Sequence, residues 1–256
     1  MATVKTADTA PVVQWGSGET VLVLLHYFSG AAVSWQWMAA QLGDDYRCVA
    51  LNLPGFGGTP PLKSPSLQGY ADWVRKEIEQ LGIQRYTLVG HSMGGKLALQ
   101  VAADAQGDQI QQLFLMAPSP ATQEPMPEEE KRRLLNHHPS RDNAETTVSS
   151  AAQQPLTDEQ REVAIQTHVM SDSSAWRWWL LEGMTHSIAA QMQRVQMPVT
   201  VLASKDDPVI PYDKIQTDVV DLLQQAQLVA IQEVGHLIPL EVPELAAQQL
   251  RTALRS

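Results

Sequence analysis

Short apolar runs alternate with longer amphipathic segments along most of the chain. Each short run is rich in β-branched residues and leucine and ends in turn or polar residues, which is typical of a buried strand. The longer segments repeat apolar residues at helical spacing. This order predicts an α/β fold with right-handed crossovers and a doubly wound, mostly parallel sheet. Strands are expected at residues 21–26, 48–53, 86–90, 113–117, 199–203 and 228–234, and helices at 35–42, 66–81, 94–105, 211–223 and 243–254.

A further short apolar run at residues 12–15 precedes the first of these strands. Gly16, Ser17 and Gly18 separate it from the strand that begins at Val21. Glycine and serine are common in tight turns between strands. We therefore expect an antiparallel hairpin between residues 12–15 and the strand at 21–26.

The alternation stops between residues 118 and 197, where helical segments follow one another without a convincing strand. This stretch is punctuated by Pro120, Pro125, Pro127, Pro139 and Pro155. We predict a core made of residues 1–117 and 198–256 and a helical insertion of residues 118–197 between two of its strands. Carried at the carboxyl edge of the sheet, such an insertion would cover a site as a cap and exclude water from it. Its helices are expected at residues 127–137, 142–152, 158–170 and 173–184.

Composition narrows the possible partners. The 256 residues are 44% hydrophobic and 18% charged, with a formal net charge of −10, which fits a single globular unit and argues against binding to nucleic acid. The single cysteine, Cys48, cannot form an internal disulfide. The first eleven residues lack an apolar leader, and no stretch is long and apolar enough for a membrane span. We expect a soluble, cytoplasmic protein that binds neither nucleic acid nor membrane.

Ser92 is the best candidate nucleophile, because it stands between Gly90 and Gly94 at the junction of a strand-like and a helix-like run. A sharp turn between a strand and a helix forces the serine towards positive φ, and only glycine at both flanks leaves room for it. The strain exposes the hydroxyl. Since five-residue matches arise by chance, the pattern needs a base, an acid and oxyanion donors elsewhere in the chain.

Residues suited to these roles follow other strands, where the sites of such sheets gather. His236 lies in a loop after a glycine and is the expected base. Asp207 follows the penultimate strand and is the expected acid, while its neighbour Asp206 is expected to cap the turn or the next helix. Backbone amides of Phe28 and Met93 are the expected oxyanion donors, one from the loop after the first parallel strand and one from a helix N-terminus.

Together these segments resemble the α/β-hydrolase superfamily over nearly the whole chain, in the branch with a helical cap. The resemblance implies a Ser, Asp, His triad in that chain order, which is the order here, and hydrolysis through an acyl-enzyme. One position departs from the family pattern, because Tyr27 stands where glycine is usual after the first loop's histidine. This tyrosine could narrow the acyl pocket, offer its hydroxyl to the oxyanion or tilt the loop. The matching segments are His26-x-x-x-Gly30, Leu53-Pro54-Gly55-Phe56-Gly57, Gly90-His91-Ser92-Met93-Gly94-Gly95, Asp207-Pro208-Val209-Ile210-Pro211 and Gly235-His236.

Two other chemistries share parts of these motifs. Residues 90–96 match the first seven positions of a phosphate-binding loop, but Leu97 lacks the hydroxyl that such a loop offers to Mg²⁺. Lys96 is then interpreted as an exposed residue of the first helical turn. Dehalogenases and epoxide hydrolases of similar fold use an aspartate nucleophile, against which Ser92 argues. We expect no metal site and no cofactor.

The sequence therefore predicts a cap-bearing serine hydrolase, most simply a carboxylesterase for small or medium esters. Hydrolysis of carbon–carbon bonds in diketones, lactone hydrolysis, acyl transfer and perhydrolysis would use the same triad and stay open. So does a slow-turnover receptor for a small ligand. The oligomeric state is not predicted. Residues expected in the substrate pocket are Tyr27, Trp176, Trp179, Met184 and His186.

Overall fold

A computed structural model describes residues 10–255 and places one seven-stranded sheet at their centre, in the order β1-β3-β2-β4-β5-β6-β7. All neighbouring strands run parallel except β1, which is antiparallel to β3. The fold class is therefore the doubly wound α/β class that the sequence predicts. The strands are Val12–Trp15 (β1), Thr20–Leu25 (β2), Tyr46–Leu51 (β3), Tyr86–His91 (β4), Ile110–Met116 (β5), Val199–Ser204 (β6) and Ala226–Ile231 (β7).

The predicted hairpin between residues 12–15 and the next strand is wrong. Strand β1 pairs with β3, with Val12 opposite Leu51 and Trp15 opposite Cys48. Both edges of β2 are already occupied, by β3 and β4. Gly16, at φ 69°, lets the chain pass against the start of β3, since a Cβ there would lie 2.2 Å from the Tyr46 carbonyl oxygen. Glycine at this point thus permits close backbone packing against β3 and does not form the turn of a hairpin.

Helices cover both faces of the sheet. On one face α1 packs against α10, and on the other α2 packs against α3. The predicted helix at residues 211–223 is interrupted, because it ends at Asp218 and a short 3₁₀ turn follows at Val220–Leu222. These helices are Gln36–Leu42 (α1), Leu67–Gln80 (α2), Met93–Ala103 (α3), Tyr212–Asp218 (α8), Ile238–Glu241 (α9) and Pro243–Ala253 (α10).

Four helices follow one another between β5 and β6: Glu128–Asn136 (α4), Arg141–Ala151 (α5), Asp158–Met170 (α6) and Ser173–Trp178 (α7). Side-chain caps define where three of them begin. Ser140 accepts a hydrogen bond from the amide of Asn143, Asp172 caps α7, and Thr157 forms a capping box with Gln160 at the start of α6. None of the helices within residues 10–255 has the length and apolar character of a bilayer-spanning segment.

Lys96 is buried, so its interpretation as an exposed residue is wrong. Helix α3 is covered on all sides, and every one of its residues is buried. The Lys96 ammonium donates hydrogen bonds to the carbonyl oxygens of Thr122 at 2.8 Å and Met184 at 3.3 Å, both of which lie in the segment between β5 and β6. Burial lowers the pKa of Lys96 to about 8, although the charge of Glu124 opposes that shift.

Candidate active site

Ser92 occupies the sharp turn between β4 and α3 with φ 52° and ψ −118°, a conformation that is costly for any residue with a side chain. The two flanking glycines make this turn possible. A Cβ on Gly90 would lie 2.5 Å from the carbonyl oxygen of Gly94, and a Cβ on Gly94 would lie 2.2 Å from the carbonyl oxygen of Leu25. The backbone therefore packs in layers that only glycine permits, and the Ser92 side chain is held at the carboxyl end of the sheet.

The structure brings Ser92, His236 and Asp207 together. The Ser92 Oγ lies 2.9 Å from Nε2 of His236, and Nδ1 of the same ring lies 2.8 Å from Oδ2 of Asp207. The other carboxylate oxygen, Oδ1, accepts hydrogen bonds from the amides of Val209 at 2.8 Å and Ile210 at 3.0 Å. Because a carboxylate can only accept, Nδ1 carries the proton and the Nε2 lone pair faces the serine hydroxyl.

The charges around His236 favour its protonated form. Burial alone would lower its pKa, but the charge and hydrogen bond of Asp207 raise it above the ordinary value, and the charges of Glu124 and Glu241 add to that effect. For Asp207 burial acts in the opposite direction, and contact with His236 and two amides still lowers its pKa. The pair thus stabilises an imidazolium beside Ser92.

Two neighbouring histidines hold the loops of the site. The His91 Nε2 donates to the backbone oxygen of His236 at 2.7 Å, and burial lowers the His91 pKa to about 3, so this ring is neutral. The His26 Nδ1 donates to the oxygen of Tyr27 at 2.8 Å, while its Nε2 accepts the amide of Leu53 at 3.1 Å. Both tautomers are set by their partners.

Glu241 binds the loop that carries His236. Its Oε2 accepts the amide of Gly235 at 2.9 Å, and its Oε1 accepts the amide of Leu237 at 2.8 Å, so the residues on both sides of the histidine are fixed. Oε2 also accepts the amides of Gln153 and Gln154, each at 2.8 Å. One carboxylate thus joins the histidine loop to the end of α5. Its sequence signal was a glutamate five residues after the candidate base.

Asp206 points away from the site. Its Oδ2 accepts the amide of Glu233 at 2.7 Å, at a residue whose φ is 58°. This bond stabilises the turn that follows β7. The two adjacent aspartates therefore differ in direction, and Asp207 is the one that contacts His236.

Phe28 and Met93, the residues expected to supply oxyanion amides, lie in the loop after β2 and at the start of α3. Met93 is the first residue of α3, whose N-terminal amides lack partners within the helix. No acceptor within residues 10–255 binds the Phe28 amide. Tyr27 precedes it, and its ring packs on His91 with centroids 5.1 Å apart. Burial raises the Tyr27 pKa to about 12, against the lowering by the Ser34 and Thr167 side chains.

A cavity of about 310 Å³ opens beside Ser92 and His236, a size that suits a small organic ligand. Tyr27, Trp176 and Trp179, three of the residues expected in a substrate pocket, line this cavity. Its other walls include the loop after β2, residues 124–127, helices α4 and α5, and residues 208–209 and 237. Both the sheet loops and the segment between β5 and β6 therefore enclose it.

The expectation that Met184 and His186 face this cavity is wrong. The predicted helix of residues 173–184 ends at Trp178 and continues as a π turn, in which the Met184 amide donates to the oxygen of Trp179 at 2.9 Å. A π turn adds one residue and changes the phase of the side chains that follow. Met184 is consequently packed in the core and His186 lies exposed at the surface.

Trp176 is fixed by contacts on several sides. Its indole N–H donates to the oxygen of Leu134 at 3.0 Å, and the His138 ring stacks on it with an interplanar angle of 8°. On the cavity side it meets Phe28, with ring centroids 4.3 Å apart. These contacts fix the orientation of the Trp176 ring in the cavity wall. Trp178, by contrast, stacks on Tyr70 outside the cavity.

Glu124 is a second carboxyl group near His236. It follows β5, and its side chain lines the cavity with only 8% of the residue's surface exposed. Burial raises its pKa, whereas the Ser119 hydroxyl and the charges of His236 and Lys96 lower it. Its sequence signal was weak, because a glutamate between Gln123 and Pro125 is typical of an exposed loop.

The side chains that could bind a metal ion are not clustered in the described residues. Within residues 10–255, no three His, Cys, Asp or Glu side chains gather in a group that could hold a metal ion. The polar groups at Ser92 are instead paired with one another, as described above.

Comparisons with known proteins agree with this architecture. An esterase from Exiguobacterium antarcticum superposes with a TM-score of 0.87 at 17% identity, covering 96% of this chain and 95% of that one, which shows a shared fold. A 2-hydroxy-6-oxononadienedioate/2-hydroxy-6-oxononatrienedioate hydrolase from Pseudomonas sp is 25% identical over 77% of this chain and 75% of its own length.

A second relative matches a shorter stretch. The dihydrolipoyllysine-residue acetyltransferase component of the acetoin cleaving system of Cupriavidus necator is 42% identical over 91 residues, which are 35% of this chain and 24% of that protein. The chain thus spans about a quarter of that relative's length. The model of the alpha/beta hydrolase fold family matches residues 20–158, more than half of the chain. The chain therefore belongs to the alpha/beta hydrolase family. Its mostly parallel seven-stranded sheet, with a serine at the turn after the central strand β4, agrees with that assignment.

Proposed function

We propose that this protein is a serine hydrolase that cleaves small or medium carboxylic esters through an acyl-enzyme. The observation that carries the proposal is the 2.9 Å contact between Ser92 Oγ and His236 Nε2, with Asp207 on the other nitrogen of the ring. A serine hydroxyl becomes a useful nucleophile when a neutral imidazole accepts its proton and a carboxylate stabilises the imidazolium.

In the proposed reaction His236 removes the Ser92 proton while Oγ attacks the ester carbonyl. The amides of Phe28 and Met93 donate to the oxyanion of the tetrahedral intermediate. The imidazolium then protonates the departing alkoxide, which leaves an acyl group on Ser92. A water molecule repeats the sequence, with His236 again as base, and releases the carboxylic acid and the free serine.

The cavity supports a substrate of modest size. Its volume of about 310 Å³ and its walls of Phe28, Trp176 and Trp179 favour an apolar acyl or alcohol group over a long extended chain. Helices α4 and α5 form part of the wall, so residues 118–197 would act as a cap that keeps water from the acyl-enzyme.

Active-site labelling tests the nucleophile directly. A fluorophosphonate probe should label the wild-type protein at Ser92, and Ser92→Ala should lose both the label and the hydrolysis of p-nitrophenyl butyrate. Ser17→Ala, at an exposed serine, should keep both. Full activity in Ser92→Ala would refute the proposal. A panel of p-nitrophenyl esters of increasing acyl length would then measure the pocket.

Hydrolysis of a carbon–carbon bond is the second candidate, because the name of the Pseudomonas relative describes such a dioate substrate. A dicarboxylate needs cationic partners, but no Lys or Arg within residues 10–255 lines the cavity, and Glu124 and Glu130 do. This wall disfavours a dianionic substrate at the same position. Assaying a neutral diketone beside the ester panel separates the two reactions, and the absence of multiple turnover on both would favour a receptor.

A further inference from the structure

Glu124 is a buried carboxyl group whose Oε2 has no hydrogen-bond partner among the described residues. Its Oε2 is inaccessible to solvent and has no partner at hydrogen-bond distance, and the Lys96 ammonium donates to carbonyl oxygens instead. Buried carboxylates normally accept several hydrogen bonds, because desolvation without a partner is costly. The Ser119 hydroxyl is a neighbouring donor to the carboxyl group, where it lowers the pKa that burial raises.

The charges of His236 and Lys96 favour the ionised form of Glu124, but neither side chain forms an ion pair with it among the described residues. Lys96 is nearby, but its ammonium donates to the carbonyl oxygens of Thr122 and Met184 and forms no ion pair with Glu124 among the described contacts. The other carboxylate of the cavity, Glu130, differs in this respect, since Arg133 binds it through two nitrogens. Of these two carboxyl groups, Glu124 is the one without an ion-pair partner among the described residues.

The surroundings of Glu124 suit a cation from outside the protein. The cavity that it lines also presents the rings of Phe28, Trp176 and Trp179. Aromatic faces attract ammonium groups, and they do so more strongly where water is excluded. The backbone holds Glu124 in place, because its amide donates to the oxygen of Met184 at 2.9 Å.

Glu124 also lies within reach of a substrate bound at Ser92. Both residues line the same cavity, and the charge of Glu124 is felt at His236. A group bound at Glu124 would thus belong to the same small molecule whose ester carbonyl meets Ser92. An ammonium in the cavity beside Glu124 would favour the ionised carboxylate against the effect of burial and offset its negative charge.

We propose that Glu124 forms an anionic subsite for a protonated amine carried by the substrate, so that the preferred esters of this site are esters of amino alcohols or amino acids. This inference rests on the proposed ester hydrolysis and adds a substrate class to it. It predicts selection by charge at constant shape.

A matched series of esters tests the subsite at neutral pH, where a secondary amine is protonated. Piperidin-4-yl butyrate, tetrahydropyran-4-yl butyrate and cyclohexyl butyrate differ at one ring position only, and 4-nitrophenyl piperidine-4-carboxylate and cyclohexanecarboxylate form the acyl-side pair. Wild-type kcat/KM should favour the ammonium member over its neutral counterparts by about 10- to 100-fold in at least one series, as for a hydrogen bond to a charged group.

Variants assign this preference to one residue. Glu124→Gln should reduce the ratio of ammonium to neutral ester to about one, whereas Glu129→Gln, which removes an exposed charge from α4, should leave the ratio unchanged. The ratio is internal to each variant, so a general loss of activity does not affect it. Equal wild-type rates for charged and neutral esters in both series would overturn the proposal, even if the Gln variant failed to fold.

Binding measurements separate this proposal from the hydrolytic one. In Ser92→Ala the intact piperidinyl ester should quench tryptophan fluorescence with a dissociation constant at least tenfold below that of the tetrahydropyranyl ester. Hydrolysis of neutral esters without charge selection would leave the hydrolase standing and refute the subsite. Charge-selective binding without any wild-type hydrolysis would do the reverse.

Discussion

The Glu241 carboxylate binds the loop of His236 on both sides, because its two oxygens accept the backbone amides of the residues before and after that histidine. The same group binds two amides at the end of α5. His236 also donates its own backbone amide to the oxygen of Ala151 at 2.8 Å. The loop of the base is therefore bound to the segment that walls the cavity, and its position relative to Ser92 depends on a carboxylate that never meets the substrate.

Replacing Glu241 with Gln should lower kcat on p-nitrophenyl butyrate by about 10- to 100-fold, because a small displacement of the base is expensive for catalysis. The amide keeps one acceptor oxygen but presents N–H groups to amides that need an acceptor. KM should change less than about threefold, since the cavity walls stay in place. Glu244→Gln, at an exposed position on α10, is the matched control. A rise in KM as large as the fall in kcat would contradict a positioning role.

The pH dependence of ester hydrolysis should follow His236. The base must be neutral, and its pKa is raised by Asp207, Glu124 and Glu241 against the effect of burial, while the His91 ring facing it is neutral. Wild-type kcat/KM should therefore rise with pH through a midpoint above about 6.5.

Asp207→Asn should lower that midpoint, because the variant loses the negative charge that raises the His236 pKa against the effect of burial. It should also lower kcat by about 10³- to 10⁴-fold. Asp206→Asn, whose side chain serves the turn at Glu233, is the neighbouring control and should keep the wild-type midpoint. A midpoint that stays fixed in Asp207→Asn would mean that another group governs the profile.

Gly94→Ala should destabilise the fold far more than Gly82→Ala. At Gly94 the added Cβ meets the Leu25 carbonyl oxygen at 2.2 Å, and the backbone there cannot move without displacing β2. Gly82 has φ 67° and open space around it, so its substitution costs about 1–2 kcal/mol of backbone strain. Urea unfolding should give a loss above about 3 kcal/mol at Gly94, or no folded protein. Similar losses at both sites would refute the packing argument.

Lys96 should make the stability of the protein depend on alkaline pH. Its pKa is about 8 when folded, against about 10.4 in an unfolded chain, so between these values the unfolded state binds more protons and stability rises with pH. The difference in unfolding free energy between wild type and Lys96→Met isolates this group from the others. It should shift in favour of the wild type by about 2–3 kcal/mol from pH 7 to pH 10.5. A difference independent of pH would mean that Lys96 titrates normally.

The sequence predicts those parts of the fold that local pattern determines. Apolar runs gave the central strands, and the requirement for glycine on both sides of Ser92 gave the turn. The pairing of β1 was mispredicted, because it depends on which sheet edges remain free once β2 lies between two neighbours. Lys96 was misplaced for a similar reason, since its burial depends on carbonyl groups of Thr122 and Met184, far along the chain.

The site residues divide in the same way. Ser92, Asp207 and His236 each follow a strand, and parallel strands bring their carboxyl ends together. The surroundings of Glu124 and Glu241 form only after the helices between β5 and β6 have packed. Glu124 lines a cavity whose wall includes α4 and α5, and Glu241 accepts the amides of two residues that follow α5. Met184 and His186 were misplaced by a single π turn, which shifts the phase of a helix without a clear mark in the sequence.

The bond from His91 to the His236 carbonyl has a mechanical consequence. The residue just before the nucleophile holds the main chain of the base, so the two reacting groups are parts of one rigid body anchored in the central strand β4. The base cannot swing out alone, as it could on a free loop with low local stability. On heating, loss of catalysis and melting of the sheet should coincide in one transition.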